Sequence, residues 1–200
     1  MVFDMLSSRN KDREKYGDRL PNGQHVVENW PVLTYGGAPR IELKDWEFRV
    51  FGLVEKEVKF SWDQFKALPT TKVHCDIHCV TTWSRFDNDF EGVSILELLN
   101  HATPKPEAEA VMLHCYGGYT TNLLLSDLKR PEALLAYKHD GKDLEGQHGG
   151  PCRLVVPHLY FWKSAKWVRA FEFIARDRHG FWEQYGYHLR GDPWKEERYS

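Results

Sequence analysis

The 200-residue sequence has no apolar run approaching the ~18 consecutive residues that a transmembrane helix requires. It has no Cys-x-x-Cys-His haem motif and no ferredoxin-type cysteine series. Any electrons used must therefore come from or go to a group not encoded in these residues. No glycine-rich phosphate loop of dinucleotide or nucleotide type is present. Excess positive charge is also missing: 27 Lys and Arg face 29 Asp and Glu, a formal net charge of -2. That balance gives no basic field for nucleic acid, so none is expected as a partner. There is no internal repeat and no low-complexity linker. Residues 1–24 contain neither an apolar signal core nor twin arginines. They read as a polar arm leading into one domain over residues 25–200, and a cytoplasmic location is expected. Cysteine is scarce, at four: Cys75, Cys79, Cys115 and Cys152. In a cytoplasmic protein this size, a ligand or nucleophile role is more plausible for one of them than a disulfide.

Aromatic residues, by contrast, are plentiful. They make up 14% of the chain and include 8 Trp, which points to an aromatic-lined pocket as well as an aromatic core. Short alternating segments recur. Trp46–Val50 and Glu57–Phe60 read as strands. Ser61 with Gln64, and Ser94 with Glu97, have capping-box spacing for short helices, the first ended by Pro69 and the second covering Ile95–His101. Val111–Tyr116 and Tyr119–Leu125 read as strands joined at Gly117-Gly118, and Asp140-Gly141 marks another tight turn. Arg153–Val156 is a short apolar strand stopped by Pro157, and Trp167–Ala175 alternates again. The tail from Arg176 to Ser200 has no clear periodicity. Many short strands with few short helices predict an α+β fold of mixed sheets.

Two segments carry chemistry. In Lys72–Val80, the β-branched neighbours Thr70, Thr71, Val73, Ile77, Val80, Thr81 and Thr82 favour a strand. A strand places Val73, Cys75, Ile77 and Cys79 on one face and His74, Asp76 and His78 on the other. A zinc module built from His74, Cys75, His78 and Cys79 would need a helix, and is the alternative reading. On a strand, one cysteine acting alone where the chain turns into a loop is the better candidate, namely Cys79. The second segment runs from His148-Gly-Gly-Pro-Cys-Arg153 through Val156-Pro157 to Lys163-Ser164-Ala165-Lys166. A glycine-rich turn, a short strand and a tight loop with two lysines could form a cationic site for a phosphate, with loop amides as further donors.

Cys79-Val80-Thr81-Thr82-Trp83-Ser84, followed by an aromatic-rich stretch and Gly92, resembles the cysteine segment of the sulfite-oxidase-like molybdopterin-dependent oxidoreductases. The short stand-alone branch is the most similar. It is related to the catalytic subunit of periplasmic methionine-sulfoxide reductase. The segment His148 to Lys166 resembles the same family's pterin-binding stretch. The resemblance implies the sulfite-oxidase-type molybdopterin-binding fold and a molybdenum–molybdopterin cofactor with Cys79 as the protein ligand to the metal. It also implies cofactor contacts from Tyr35, Cys115, His148, Arg153, Lys163, Ser164, Ala165 and Lys166, and oxygen-atom transfer as the reaction. Arg85, six residues past Cys79, would help position a small oxyanion, sulfoxide or N-oxide substrate. His158 and Leu159 stand where relatives often carry more basic residues, which argues against a strongly anionic substrate. A separate electron-transfer protein is the expected partner. A carrier that holds molybdopterin without turnover is the remaining alternative.

Overall fold

The computed structural model describes residues 11–200; the part of the expected arm before residue 11 lies outside them. Eleven strands are found among the described residues: β1 (His25–Val26), β2 (Glu47–Gly52), β3 (Val58–Ser61), β4 (Thr70–His78), β5 (Trp83–Ser94), β6 (Ala110–Cys115), β7 (Thr120–Leu124), β8 (Leu134–His139), β9 (Lys142–Asp143), β10 (Arg153–Val155) and β11 (Val168–Ile174). They form two sheets. One has the order β1-β5-β8-β10, with β4 added on β5 and β9 on β8. The other has the order β3-β2-β11-β6-β7. Pairing is antiparallel except for β1 with β5 and β2 with β11. The architecture is thus the α+β arrangement of mixed sheets expected from the sequence.

The first sheet is covered on both faces, and the alternation along β8 shows how. Leu135 and Tyr137 join the large core shared with the second sheet, where Phe48 packs edge-on against Phe171 at 4.9 Å. Leu134 and Ala136 join a smaller core with Ile77, Phe90, Val155 and Phe161 on the opposite side. A strand buried on both faces reads as a continuous apolar run rather than an alternating one. Burying aromatic side chains of this size contributes about 2–3 kcal/mol each, so both cores matter to stability.

Short helices close the strand ends. Trp62–Lys66 begins at a complete capping box, in which the Gln64 amide donates to Ser61 Oγ and the Ser61 amide to Gln64 Oε1. Ile95–His101 has only the first half: the Glu97 amide donates to Ser94 Oγ, while the Glu97 carboxylate pairs with His101. The Asp140-Gly141 turn has positive φ at both residues (48° and 77°), the geometry of a two-residue hairpin.

Strand β4 departs from the expected facing. A register shift between Cys75 and Ile77 interrupts the alternation, and Ile77 and His78 are both buried. Such a bulge re-aims the following side chains. β5 crosses β8 so closely at Gly92 that a Cβ there would sit 2.0 Å from the Leu135 carbonyl oxygen. Gly92→Ala is therefore expected to cost about 3 kcal/mol through forced backbone displacement. Urea denaturation reads that loss, and an unchanged midpoint would show that β5 can shift without penalty.

Candidate active site

The bulged end of β4 delivers Cys79 to a tight turn. The Cys79 amide donates to the Trp83 carbonyl at 2.8 Å, and the Thr82 amide donates to the Cys79 carbonyl at 3.0 Å. Thr82 closes the turn at φ +77°, a left-handed conformation uncommon for a β-branched residue. Cys79 is 8% exposed, and its Sγ lies 3.1 Å from Thr81 Oγ1. Burial pushes the thiol above its usual range, and the Thr81 hydrogen bonds partly oppose that. A positive ion at the sulfur would reverse the balance and favour the thiolate.

The second wall comes from β10 and the loops that flank it, between β9 and β11. Gly149, at φ +108°, lies so close that a Cβ would meet Arg153 Cβ and Lys166 Cβ at 3.0 Å each. This close approach gathers two cations. Arg153 is 1% exposed; it donates to the His148 carbonyl at 2.7 Å and the Ser164 carbonyl at 2.6 Å, and its guanidinium lies 4.2 Å from the Phe161 ring centroid. Burial lowers it to about 9, so it remains a cation at neutral pH. Lys166 donates to the carbonyls of Leu33 (2.8 Å) and Gln147 (2.7 Å). Burial, and then the neighbouring Arg153, lower Lys166 to about 7. The turn is held from behind: the Val156 amide donates to Ser164 Oγ and the Leu154 amide to the Ala165 carbonyl.

These walls enclose a cavity of about 310 Å³. It brings together six of the residues singled out from the sequence: Tyr35, Cys79, Arg153, Ser164, Ala165 and Lys166. The rest of its lining is largely aromatic, including Trp30, Trp83, Trp162, Trp167, Trp182 and Tyr187. Trp83 Nε1 is a buried donor with no partner, and His148 Nδ1 is likewise buried and unpartnered.

Four of the singled-out residues lie outside the lining. His148 stacks behind Trp30, with ring centroids 4.1 Å apart, and burial followed by Arg153 lowers its basicity. Cys115 is buried in the large core, which pushes its thiol well up. Lys163 turns away into a fully buried ion pair with Glu183, Nζ to Oε1 2.6 Å. Arg85 is engaged by Asp140 at 2.9 Å, by the Glu28 carbonyl at 3.2 Å, and by Asn88 and His139. The zinc arrangement does not form. His74 is exposed beside Asp87 and Asp89, and His78 is buried against Ser84 Oγ. No group of three or more His, Cys, Asp or Glu side chains among the described residues is placed to hold a metal. Sequence reasoning missed Trp30, Trp182 and Tyr187; their only signal was the aromatic density of the chain.

Among the described residues, no helix is long and apolar enough to cross a membrane. The uncharacterized oxidoreductase YuiH of Bacillus subtilis is 46% identical over 183 residues, covering 91% of this chain and 92% of its own. The protein-methionine-sulfoxide reductase catalytic subunit MsrP of Campylobacter jejuni is 26% identical, covering 78% of this chain and 60% of its own. The fold superposes on the sulfane dehydrogenase SoxCD of Paracoccus pantotrophus with a TM-score of 0.64 at 23% identity, over 70% of this chain and 41% of that one. Residues 35–182, which hold both walls of the cavity, match the oxidoreductase molybdopterin binding domain, and the chain belongs to this family of molybdopterin-dependent oxidoreductases.

Proposed function

We propose that this enzyme transfers an oxygen atom to or from a small substrate, with Cys79 ligating molybdenum and a separate redox protein exchanging the electrons. The observation that carries the reading is that Cys79 shares one cavity with Arg153 and Lys166. The residues suit the cofactor. A soft thiol is a good ligand for a high-valent metal, a buried guanidinium beside a half-buried lysine suits a phosphate, and the orphaned Trp83 nitrogen is a polar group of the lining awaiting a partner.

When bound, the molybdenum–pterin group supplies two-electron oxygen-atom transfer. The chain's own residues bind, orient and exclude water. Arg153 and Lys166 hold the anionic end of the cofactor, and the Ser164-Ala165 turn supports it. Tyr35, Trp182 and Tyr187 wall the approach. That wall is aromatic and uncharged, which favours a sulfoxide or N-oxide over an inorganic oxyanion. Arg85, held by Asp140, acts from behind the cavity rather than on substrate. The four cysteines are all unpaired, which suits a reducing, cytoplasmic setting. The test is protein purified from a host that makes the cofactor. Near-stoichiometric molybdenum and pterin, with reduction of methionine sulfoxide or trimethylamine N-oxide, or oxidation of sulfite, is the expected result. Full cofactor content with no oxygen transfer in either direction would overturn the reading.

Lys166 makes the phosphate assignment testable by pH. Its ordinary value is 10.5, and the folded, cofactor-free site lowers it to about 7. Between these values the unfolded chain binds more protons than the folded one, so stability rises with pH across that window. A bound anion does the opposite, because it favours the protonated lysine. Anion affinity should therefore weaken as pH rises above 7. Thermal denaturation of the cofactor-free protein from pH 7 to 10, with and without inorganic phosphate, reads both trends. Lys166→Met should remove both below about pH 9, above which the lowered Arg153 adds a slope of its own, and identical pH profiles for variant and wild type would refute the assignment.

A further inference from the structure

The turn that carries Cys79 is held by side chains from both ends of the chain. Gln24 is 2% exposed, and its Nε2 donates to the Cys79 carbonyl at 3.0 Å. Arg198 donates from one guanidinium nitrogen to the Val80 carbonyl at 2.5 Å and from the other to the Asn22 carbonyl at 3.3 Å. The His25 amide donates to the Thr82 carbonyl at 2.9 Å. Three of the turn's four carbonyls are thus each engaged from residues 24, 25 and 198, all outside the span 35–182 that matches the family. The Arg198 guanidinium also lies 5.0 Å from the Tyr160 ring centroid, which fixes its plane. This is more restraint than a four-residue turn needs for folding. The turn already closes with its own Thr82-to-Cys79 hydrogen bond and is flanked by the β4–β5 ladder.

We propose that Gln24 and Arg198 are positioning residues for Cys79: the two terminal segments close over the turn and fix the orientation in which the thiol faces the cavity. The physical reason is the left-handed Thr82. A turn strained at that residue has alternative conformations nearby, and a rearrangement that moves the Cys79 backbone would re-aim the sulfur. Donors on two successive carbonyls, Cys79 and Val80, oppose that rearrangement. A metal ligand must be held to a fraction of an ångström, and groups one shell away commonly supply that restraint. The proposal rests on the reading of Cys79 as the metal ligand, but its geometric half can be tested without metal.

The experiment uses Gln24→Met, Arg198→Met and Arg198→Lys, each in cofactor-free and molybdenum-loaded protein. In the cofactor-free form, alkylation of each cysteine by iodoacetamide is followed by mass spectrometry. Cys79 should react at least about fivefold faster in Arg198→Met than in wild type, while Cys115 and Cys152 stay protected. Arg198→Lys should restore most of the protection, because one donor remains. In the loaded form, the sulfur-to-metal absorption band should shift or weaken, and kcat should fall by about 10- to 100-fold with KM nearly unchanged, in line with losses seen on removing outer-shell partners. Molybdenum and pterin contents should hold. Wild-type alkylation rates in both Met variants would overturn the clamp, and so would equal exposure of all four cysteines, which marks a purely structural role. A loosened Cys79 with an unchanged absorption band would keep the clamp and instead overturn the ligand reading on which it rests.

Discussion

Cys79→Ser is expected to lower oxygen-transfer activity by about a thousandfold, some 4 kcal/mol of barrier, while leaving pterin content within about twofold of wild type. The separation follows from geometry. The residues proposed to hold the cofactor's anionic end, Arg153 on β10 and Lys166 just before β11, lie on different elements from the β4–β5 turn that carries Cys79. Removing the sulfur therefore leaves the anchoring cations untouched. Serine keeps the size and a hydrogen-bonding atom, but its hydroxyl does not ionise at neutral pH and is a hard donor, so it cannot replace a thiolate at a high-valent metal. The fold should hardly notice, because the sulfur's side-chain hydrogen bond to Thr81 Oγ1 is one that a serine can still make. Cys75→Ser is the control. Cys75 lies on β4, four residues before Cys79, and is half-buried but not part of the cavity lining, so its substitution should leave activity within about twofold. Metal content, released-pterin fluorescence and turnover on one preparation decide the matter. Full activity in Cys79→Ser would remove this residue from the metal.

Residues that follow local rules were legible in advance. β2 and most of β11 alternate because one face meets the core, and Gly117-Gly118 and Asp140-Gly141 form the tight turns their composition demands. β5 was hidden. Its centre, Arg85-Phe-Asp-Asn-Asp-Phe, is rich in residues that disfavour strands, and it is extended because β4 pairs along it while β1 and β8 pair with its two ends. β8 was hidden for the opposite reason. Burial on both faces erased the alternation that identifies a strand, leaving Leu134-Leu135-Ala136-Tyr137 as an unmarked apolar run. The same division holds at the site. Cys79, Arg153 and Lys166 sit in short motifs and could be named from them. Trp30, Trp182 and Tyr187 reach the cavity from remote segments without any periodic signal, so only tertiary structure assigns them. Lys163 stands in the same short motif as Lys166, yet the chain turns between the two, sending one into the core and the other to the cavity.

That division makes Lys163→Met the most destabilising substitution expected here, at about 4 kcal/mol. Lys163 Nζ donates to Glu183 Oε1 at 2.6 Å, to Asn122 Oδ1 and carbonyl at 2.9 and 3.0 Å, and to the Leu189 carbonyl at 2.6 Å. Both charged side chains are fully buried. Glu183 in turn accepts from Trp162 Nε1 at 2.9 Å and Thr121 Oγ1 at 3.1 Å. Methionine fills the volume of the lysine stem, but it leaves a carboxylate inside the protein with no cation and removes a donor from three neutral acceptors, of which the Leu189 carbonyl keeps a bond from Asn122 Nδ2. Glu183→Gln should cost less, about 2 kcal/mol. The amide oxygen can still accept from Trp162 and Thr121, and the ammonium keeps its three neutral oxygen acceptors. A charged amine with three such partners is better solvated than a carboxylate with two neutral donors, so the two substitutions should differ in that order. Trp162 connects this pair to the cavity. A Glu183 no longer held by Lys163 should shift and carry Trp162 with it, loosening a wall that Trp162 shares with Tyr187, whose ring meets it edge-on at 5.2 Å. Substrate KM should accordingly rise more than kcat falls in any Lys163→Met protein that folds. Equal and small stability losses in the two variants would mean that the pair is not felt as buried charge, and the link from the core to the aromatic wall would fail with it.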